Sequence, residues 1–381
     1  MRCVAAPPAG AYTAALAKDG DVVVAVPNGT GARVVGIGNH RPSFIADSFD
    51  SPPTSISLAP DGDRIAFVKR TGEIDFTSAG AASAQRLLVP AGPLGSLTVL
   101  AGWLDSTTLV YERSTFANGK RYGEIYAIDT ATSVSRAITA GHDPSVSPDA
   151  TKIAFVSGDT GGLAWGDELD IIGADGSGRR TILVKSPIAS PVWSPDSTQI
   201  AFLWPIDRNP HLEIVGADGT GAHEVGVANA PLWWTTAGIV THVFQEDAGP
   251  AAVVVDQTTG VARLLAHGFG IGGAVPVAVT HGLVAYVVYN GDADPLGVRL
   301  VNWDGANDRA LEQCRGTARA DRIYGSPLAD DILAGGGNDV VHVPGGGADL
   351  VACGRGRDVV YADKHDRVYG DCEHVVRRAL R

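Results

Sequence analysis

Three observations together predict an all-β protein, a β-propeller followed by a short parallel β-roll. Glycine and proline are scattered through the chain, a motif recurs about every 43 residues, and a nine-residue beat takes over near the C-terminus. The chain has 381 residues, 48 of them Gly and 22 Pro, and the dispersal of these turn-formers excludes a long-helix or coiled-coil protein. Apolar residues make up 45%, enough for a substantial core, and the length suits roughly two domains at about 150 residues each. Lys and Arg number 30 against 42 Asp and Glu, a net charge of −12. That balance argues against nucleic acid or an anionic membrane surface as partner. No apolar run approaches the ~20 residues of a membrane helix.

Leu58-Ala59-Pro60-Asp61-Gly62-Asp63-Arg64-Ile65-Ala66-Phe67 returns as Val146-Ser147-Pro148-Asp149-Ala150-Thr151-Lys152-Ile153-Ala154-Phe155 and again as Trp193 to Phe202. Weaker copies run from Trp103 to Tyr111 and from Trp234 to Val240. Each copy is a strand, a Pro-Asp turn and a second strand, with Pro fixing φ and Asp bonding its own backbone. A second motif follows: Leu169 to Gly178 carries Asp175-Gly176, and Leu212 to Gly221 carries Asp218-Gly219. Asn-Gly and Asp-Gly between apolar runs mark hairpins. Together the motifs make four-stranded units at 41–92, 93–142, 143–187, 188–230, 231–273 and 274–314, with an incomplete unit at 11–38. Four strands every 40–50 residues is the pattern of propeller blades. Seven blades are expected, with six as the alternative because the first unit lacks a clear innermost strand. The turns resemble those of TolB-type and WD-like propellers over about 11–313. Trp103, Trp193 and Trp234 repeat in register with Leu58 and Val146, so they are expected to pack between blades rather than to form a sugar-binding ladder.

From Gly316 the beat changes. Asp321, Asp330 and Asp339 are spaced by nine, and Asp349, Asp358 and Asp366 follow at ten, nine and eight. Two residues after each stands a β-branched residue: Ile323, Ile332, Val341, Val351, Val360 and Val368. Glycines precede several of these Asp residues: Gly335 to Gly337, Gly345 to Gly347, Gly354 and Gly356. This segment, about 316–376, resembles the RTX (haemolysin-type) nonapeptide repeat. The resemblance implies a parallel β-roll of 18-residue rungs with the β-branched residues inward. Asp321, Asp339 and Asp358 would then share one edge, and Asp330, Asp349 and Asp366 the other. It also implies calcium, held by turn carboxylates and glycine carbonyls: Asp330, Gly335, Gly337, Asp339, Asp349, Gly354, Gly356 and Asp358. The pattern departs from the family at Arg319 and Leu328, where Gly is expected, and at Lys364-His365-Asp366, which has none. Residues 315–381 hold ten acidic and ten basic residues, so one or two weak sites are expected, best between the Gly335–Asp339 and Gly354–Asp358 turns. The propeller carries the whole negative charge.

The four cysteines, Cys3, Cys314, Cys353 and Cys372, form no C-x-x-C pair, which argues against zinc, and they allow three disulfide pairings. On the roll that the resemblance implies, Cys353 and Cys372 stack one rung apart and bond. Cys3 and Cys314 remain, to staple the ends of the ring. Disulfides place the protein outside the reducing cytosol. Pro7 and Pro8 interrupt any signal-peptide core, so the export signal is not visible in this chain.

Chemistry is sparse. There is no G-x-S-x-G elbow, no H-E-x-x-H and no Walker loop. Gly268-Phe269-Gly270-Ile271-Gly272-Gly273 matches G-x-G-x-x-G, but a strand pattern follows it, so it reads as an inter-blade loop. The ten His are spread over separate units and none stands out. The expected function is that of a monomeric, non-enzymatic, extracellular or envelope binding protein, its propeller face taking a protein or glycan partner. The alternative is a lyase or hydrolase of a small substrate at the propeller channel. A TolB-like periplasmic partner protein is a third reading, against which the C-terminal tail argues.

Overall fold

The computed structural model describes residues 54–377, apart from 62–63, 79–85, 94, 118–119, 159–165, 205–209, 246–248, 268–273, 280–281, 290–294, 307–308, 311–312, 326–330, 344–348 and 365, together with the backbone of four earlier strands. Among the described residues there are strands and no helix. The first sheet is β1 (Ala14–Leu16), β2 (Val22–Asn28), β3 (Gly31–Ile37) and β4 (Ser43–Phe49). The second is β5 (Ser55–Leu58), β6 (Arg64–Val68), β7 (Ile74–Ser78) and β8 (Arg86–Val89). The third is β9 (Leu97–Trp103), β10 (Thr108–Ala117), β11 (Lys120–Asp129) and β12 (Val134–Ala140). Next come β13 (His142–Val146), β14 (Lys152–Ser157), β15 (Gly166–Gly173), β16 (Arg180–Trp193), β17 (Gln199–Trp204), β18 (His211–Gly216) and β19 (His223–Val227). Here β16 serves twice: Arg180 to Ile188 pairs with β15, and Ala189 to Trp193 pairs with β17. The series ends with β20 (Asn229–Thr235), β21 (Gly238–Gln245), β22 (Gly249–Val255) and β23 (Ala262–His267), then β24 (Ala274–Val279), β25 (Leu283–Tyr289), β26 (Pro295–Asn302) and β27 (Arg309–Ala310). All these pairings are antiparallel.

The leading strands β1, β5, β9, β13, the second half of β16, β20 and β24 touch in that order, and β24 touches β1. The sheets therefore stand around a closed ring, the arrangement of a β-propeller. Its second strands supply the core: Phe67, Phe155, Phe202 and Tyr286 occupy the same place in their units and are fully buried. One sequence-based boundary shifts. Ser43–Phe49 completes the first sheet rather than opening the second, and the missing innermost strand is Ala14–Leu16, three residues too short to show a pattern.

Neighbouring sheets are stitched by side chains. The Trp103 indole Nε1 donates to Ser57 Oγ at 3.0 Å, and that of Trp193 to the Ser145 carbonyl at 3.0 Å, so both tryptophans join adjacent leading strands as expected. Trp234 also packs between sheets, in one cluster with Leu203 and Leu212 of the preceding unit, while its indole bonds Gln257 in a turn of its own unit. On the outer side, Arg136 donates to the Ala174 carbonyl at 2.6 Å, and Arg180 and Arg263 do the same to Ala217 and Trp303 in the following sheet. Asp149 and Asp196 order their Pro-Asp turns by accepting from Ser147 and Thr151, and from Ser194 and Thr198. Four leading strands carry a proline at a register break: Pro144, Pro191, Pro231 and Pro276. These strands have a free edge toward the ring's middle, and proline there leaves no unpaired N–H.

After the ring the pairing becomes parallel. Strands β28 (Gln313–Arg315), β30 (Asp331–Leu333), β32 (Leu350–Ala352) and β34 (Arg367–Val368) form one sheet, and β29 (Arg322–Tyr324), β31 (Val340–His342), β33 (Val359–Ala362) and β35 (His374–Arg377) the other. Arg322 pairs with Val340, Val340 with Val359, and Val359 with His374. The β-branched residues read from the nine-residue beat point inward: Ile323, Ile332, Val341, Val351 and Val360 are buried in one narrow core, and Val368 packs against it. The coil begins at Gln313, slightly earlier than the sequence suggested.

Replacing Phe202 by Ala is expected to lower unfolding free energy by about 3–5 kcal/mol, since a fully enclosed aromatic leaves a cavity. Urea denaturation midpoints of the two proteins check this.

Candidate functional site

The turns of the coil stack on one another. In the first pair, Gly336 bridges Arg355, the Arg355 amide donates to the Gly335 carbonyl at 3.1 Å, and the Gly337 amide donates to the Arg355 carbonyl at 2.8 Å. Contact is too close for a side chain. Gly354 has φ +89°, and a Cβ on it would lie 1.9 Å from the Gly335 carbonyl oxygen; one on Gly356 would lie 1.6 Å from that of Gly337.

Among the described residues, the carboxylates of Asp339, Asp358, Glu373 and Asp366 anchor the rung before them. The Asp321 amide donates to Asp339 Oδ1 at 2.8 Å, the Asp339 amide to Asp358 Oδ1 at 2.7 Å, and the Asp358 amide to Glu373 Oε2 at 2.8 Å. On the other edge the Asp349 amide donates to Asp366 Oδ1 at 3.1 Å. The two edges expected from the spacing are thus present, while Asp330 lies outside the described residues. The spacing did not reveal that main-chain amides take one oxygen of each carboxylate. Asp339 and Asp358 are fully buried, and the Oδ2 of each has no hydrogen-bond partner. Burial pushes the Asp339 carboxyl up from its usual range; the Asp321 amide opposes this, and the charges of Asp358 and Asp321 add to it. Carboxylate oxygens of this kind are the donor type that hard cations take. Among the described residues, no three His, Cys, Asp or Glu side chains cluster as a metal site, so such a cation would draw on main-chain oxygens as well.

Cys353 and Cys372 are bonded, with Cα atoms 5.1 Å apart, and both lie in the coil's core. The bond ties the β32 rung to the last one. The Cys3–Cys314 pairing falls on side chains outside the described residues. So does Gly268–Gly273, after which β24 begins at Ala274.

The ring carries buried charge as well. Glu112, with no exposure, accepts from the Arg121 guanidinium at 2.6 Å and from the Asp143 amide at 2.9 Å, and it also bonds Ser114. Arg121 reaches Asp143 at 3.1 Å. Burial raises the Glu112 carboxyl and Arg121 counters it. In the next sheet Asp170 accepts from Arg179 at 2.6 Å and from Ser157 at 2.9 Å. Lys185 pairs with Glu213, and Lys69 with Asp75 at 2.7 Å. Two histidines are enclosed: His142 next to Asp143, and His242 edge-on to Phe244, and the Nδ1 of each is buried without a partner. Burial lowers both imidazoles, that of His242 to about 4. Their enclosure is set by sheet packing, which is why neither stood out among ten scattered histidines.

No family model matches this chain, and no curated protein does. Solved structures do. Oligogalacturonate lyase from Vibrio parahaemolyticus aligns at 12% identity and TM-score 0.58, over 77% of this chain and 90% of that one. Puromycin hydrolase aligns at 15% and 0.57, over 80% of this chain and 53% of the hydrolase. TolB from Acinetobacter baumannii aligns at 14% and 0.42, over 66% and 61%. The first two show a shared propeller-type fold and nothing further.

The His242 burial has a pH signature. Its folded pKa of about 4 lies below the ordinary 6.5, so the unfolded chain binds the extra proton between those values. Stability is therefore full above 6.5 and falls as the pH drops toward 4, by up to about 3 kcal/mol. His242→Gln should flatten that slope in urea unfolding followed across the same range.

Proposed function

We propose that this chain is a non-enzymatic binding protein working outside the cytosol. In this reading the ring is a seven-bladed propeller whose face takes a protein or glycan partner, and the coil is an RTX-type β-roll that holds calcium weakly. The observation that carries the calcium reading is the pair Asp339 and Asp358, buried and each with one oxygen lacking a hydrogen bond. Desolvated neighbouring carboxylates repel each other, and a cation between them offsets both costs. The carboxylates of Asp339 and Asp358, with carbonyls from Gly335, Gly337, Gly354 and Gly356, would hold the ion between the stacked turns. Asp349, with Asp330 before it, would offer a second position on the opposite edge. Calcium would supply charge neutralisation and cross-link successive rungs.

The compartment reading rests on the Cys353–Cys372 bond, since disulfides persist in oxidising surroundings. The binding reading is supported by the way the ring's buried acids are used: Glu112, Asp170 and Glu213 are all paired with cations of the protein itself. A second reading, an enzyme acting at the ring, draws on His142. Its Nδ1 is buried without a hydrogen-bond partner, and the charges of Asp143 and Arg121 act on it in opposite directions while burial lowers the imidazole. Turnover of a small substrate that His142→Asn abolishes would favour that reading over the first.

Calorimetric titration of calcium into the oxidised, chelator-stripped protein should show one or two ions binding saturably, with Kd of about 10⁻⁴–10⁻³ M as in extracellular modules. Asp339→Ala with Asp358→Ala should abolish the heat. No heat at millimolar calcium, with the fold intact by circular dichroism, would overturn the reading.

A further inference from the structure

The fourth and fifth sheets share a repeat, and one departure between them builds a new site. Ser157 and Trp204 end the second strands β14 and β17 at the same register, pairing with Glu168 and His211. Asp170 and Glu213 likewise occupy one position, opposite the buried Phe155 and Phe202. In the fourth sheet Asp170 Oδ2 is held locally, by the Ser157 hydroxyl at 2.9 Å and the Arg179 guanidinium at 2.6 Å, while its Oδ1 is buried without a hydrogen bond. Arg179 follows Gly178 of its A-D-G-S-G turn, and the residue after Gly221 in the equivalent A-D-G-T-G turn is Ala222. The fifth sheet has thus exchanged the serine for an indole and lost the arginine, yet it keeps a buried carboxylate.

What fills the space is Lys185, from the crossing where β16 passes between the two sheets. Its ammonium lies 2.6 Å from Glu213 Oε2 and 3.7 Å from the centre of the Trp204 ring. The Trp204 Nε1 donates to the Ser186 carbonyl at 2.9 Å, which fixes the ring plane. The carboxylate is 5% exposed and the lysine 28%. A cation over an indole face beside a desolvated carboxylate is the arrangement that recognises ammonium groups. Here the cation arrives on a long flexible chain from outside the sheet, so it can leave without disturbing the walls.

We propose that Trp204 and Glu213 form an ammonium-binding box, self-occupied by Lys185, which opens to a lysine side chain or other alkylammonium group of a basic partner. The inference deepens the binding reading by giving the ring a ligand class. It does not depend on the calcium reading. The net charge of −12 favours approach of such a partner. Exchange of the lysine for a ligand ammonium leaves the buried carboxylate paired with a cation before and after.

The test is titration of n-butylammonium chloride, against sodium chloride at equal ionic strength, into the wild type and Lys185→Gln. The vacated box should bind saturably, and at least about tenfold more tightly than the wild type, because the resident lysine competes. Adding Trp204→Leu or Glu213→Gln to Lys185→Gln should remove that binding. Equal binding by wild type and Lys185→Gln, or binding that survives Trp204→Leu, would overturn the proposal and leave Lys185 as a structural ion pair. Wild-type crystals soaked in butylammonium give an independent check if a variant misfolds: an ammonium seated on Trp204 with Lys185 withdrawn supports the box, and an undisplaced Lys185 contradicts it. A basic peptide titrated into wild type then tests the partner reading separately. Failure there, with butylammonium bound, would reject the partner while keeping the box.

Discussion

Everything in the ring depends on its closure. A four-stranded sheet with two apolar faces is unstable alone, because each face needs a neighbour. Ile65, Ile153 and Ile200 are buried alongside Ala66, Ala154 and Ala201, so adjacent positions on opposite faces of each second strand are covered. Only a ring that returns to its start covers the first and last sheets as well, and the contact between β24 and β1 provides this. The tryptophan and arginine bonds between sheets fix the stacking that apolar burial drives.

The coil solves a smaller version of the same problem by different means. Its core is one side chain wide, so burial alone supplies little. Stacked glycine turns, amides anchored on the next rung's carboxylate and one disulfide do the rest. The anchoring carboxylates are the residues proposed to meet calcium. One oxygen holds the backbone and the other is left over, so structural and ligand roles are compatible in a single side chain. The ring treats buried charge differently: among its described residues, Asp75, Glu112, Asp170 and Glu213 each pair with a cation of the protein itself.

Much of this architecture is legible in the sequence because it repeats. The Pro-Asp turns, the Ile-Ala-Phe strands and the inward β-branched residues of the coil fall where their periods place them. Ala14–Leu16 escapes notice because three residues are too few to show alternation, and its place in the ring is set by contacts with strands far away in the chain. The amide-to-carboxylate ladder is invisible for a related reason, since spacing places Asp339 and Asp358 on one edge but does not say which atom each oxygen meets. The enclosure of His142 and His242, and the capture of Lys185 by Glu213, depend on packing between sheets. The exchange of Ser157 for Trp204 is written in the repeat, but its meaning needs the lysine that crosses from the preceding sheet.

The claim that closure holds the ring together is tested most directly by native-state hydrogen exchange, resolved by peptide. If closure holds the ring, the amides of β1 and β24 open only with the other leading strands, at one common free energy equal to that of global unfolding. Exchange of β1 or the β24 sheet at a much lower free energy, with the remaining sheets still protected, would contradict it.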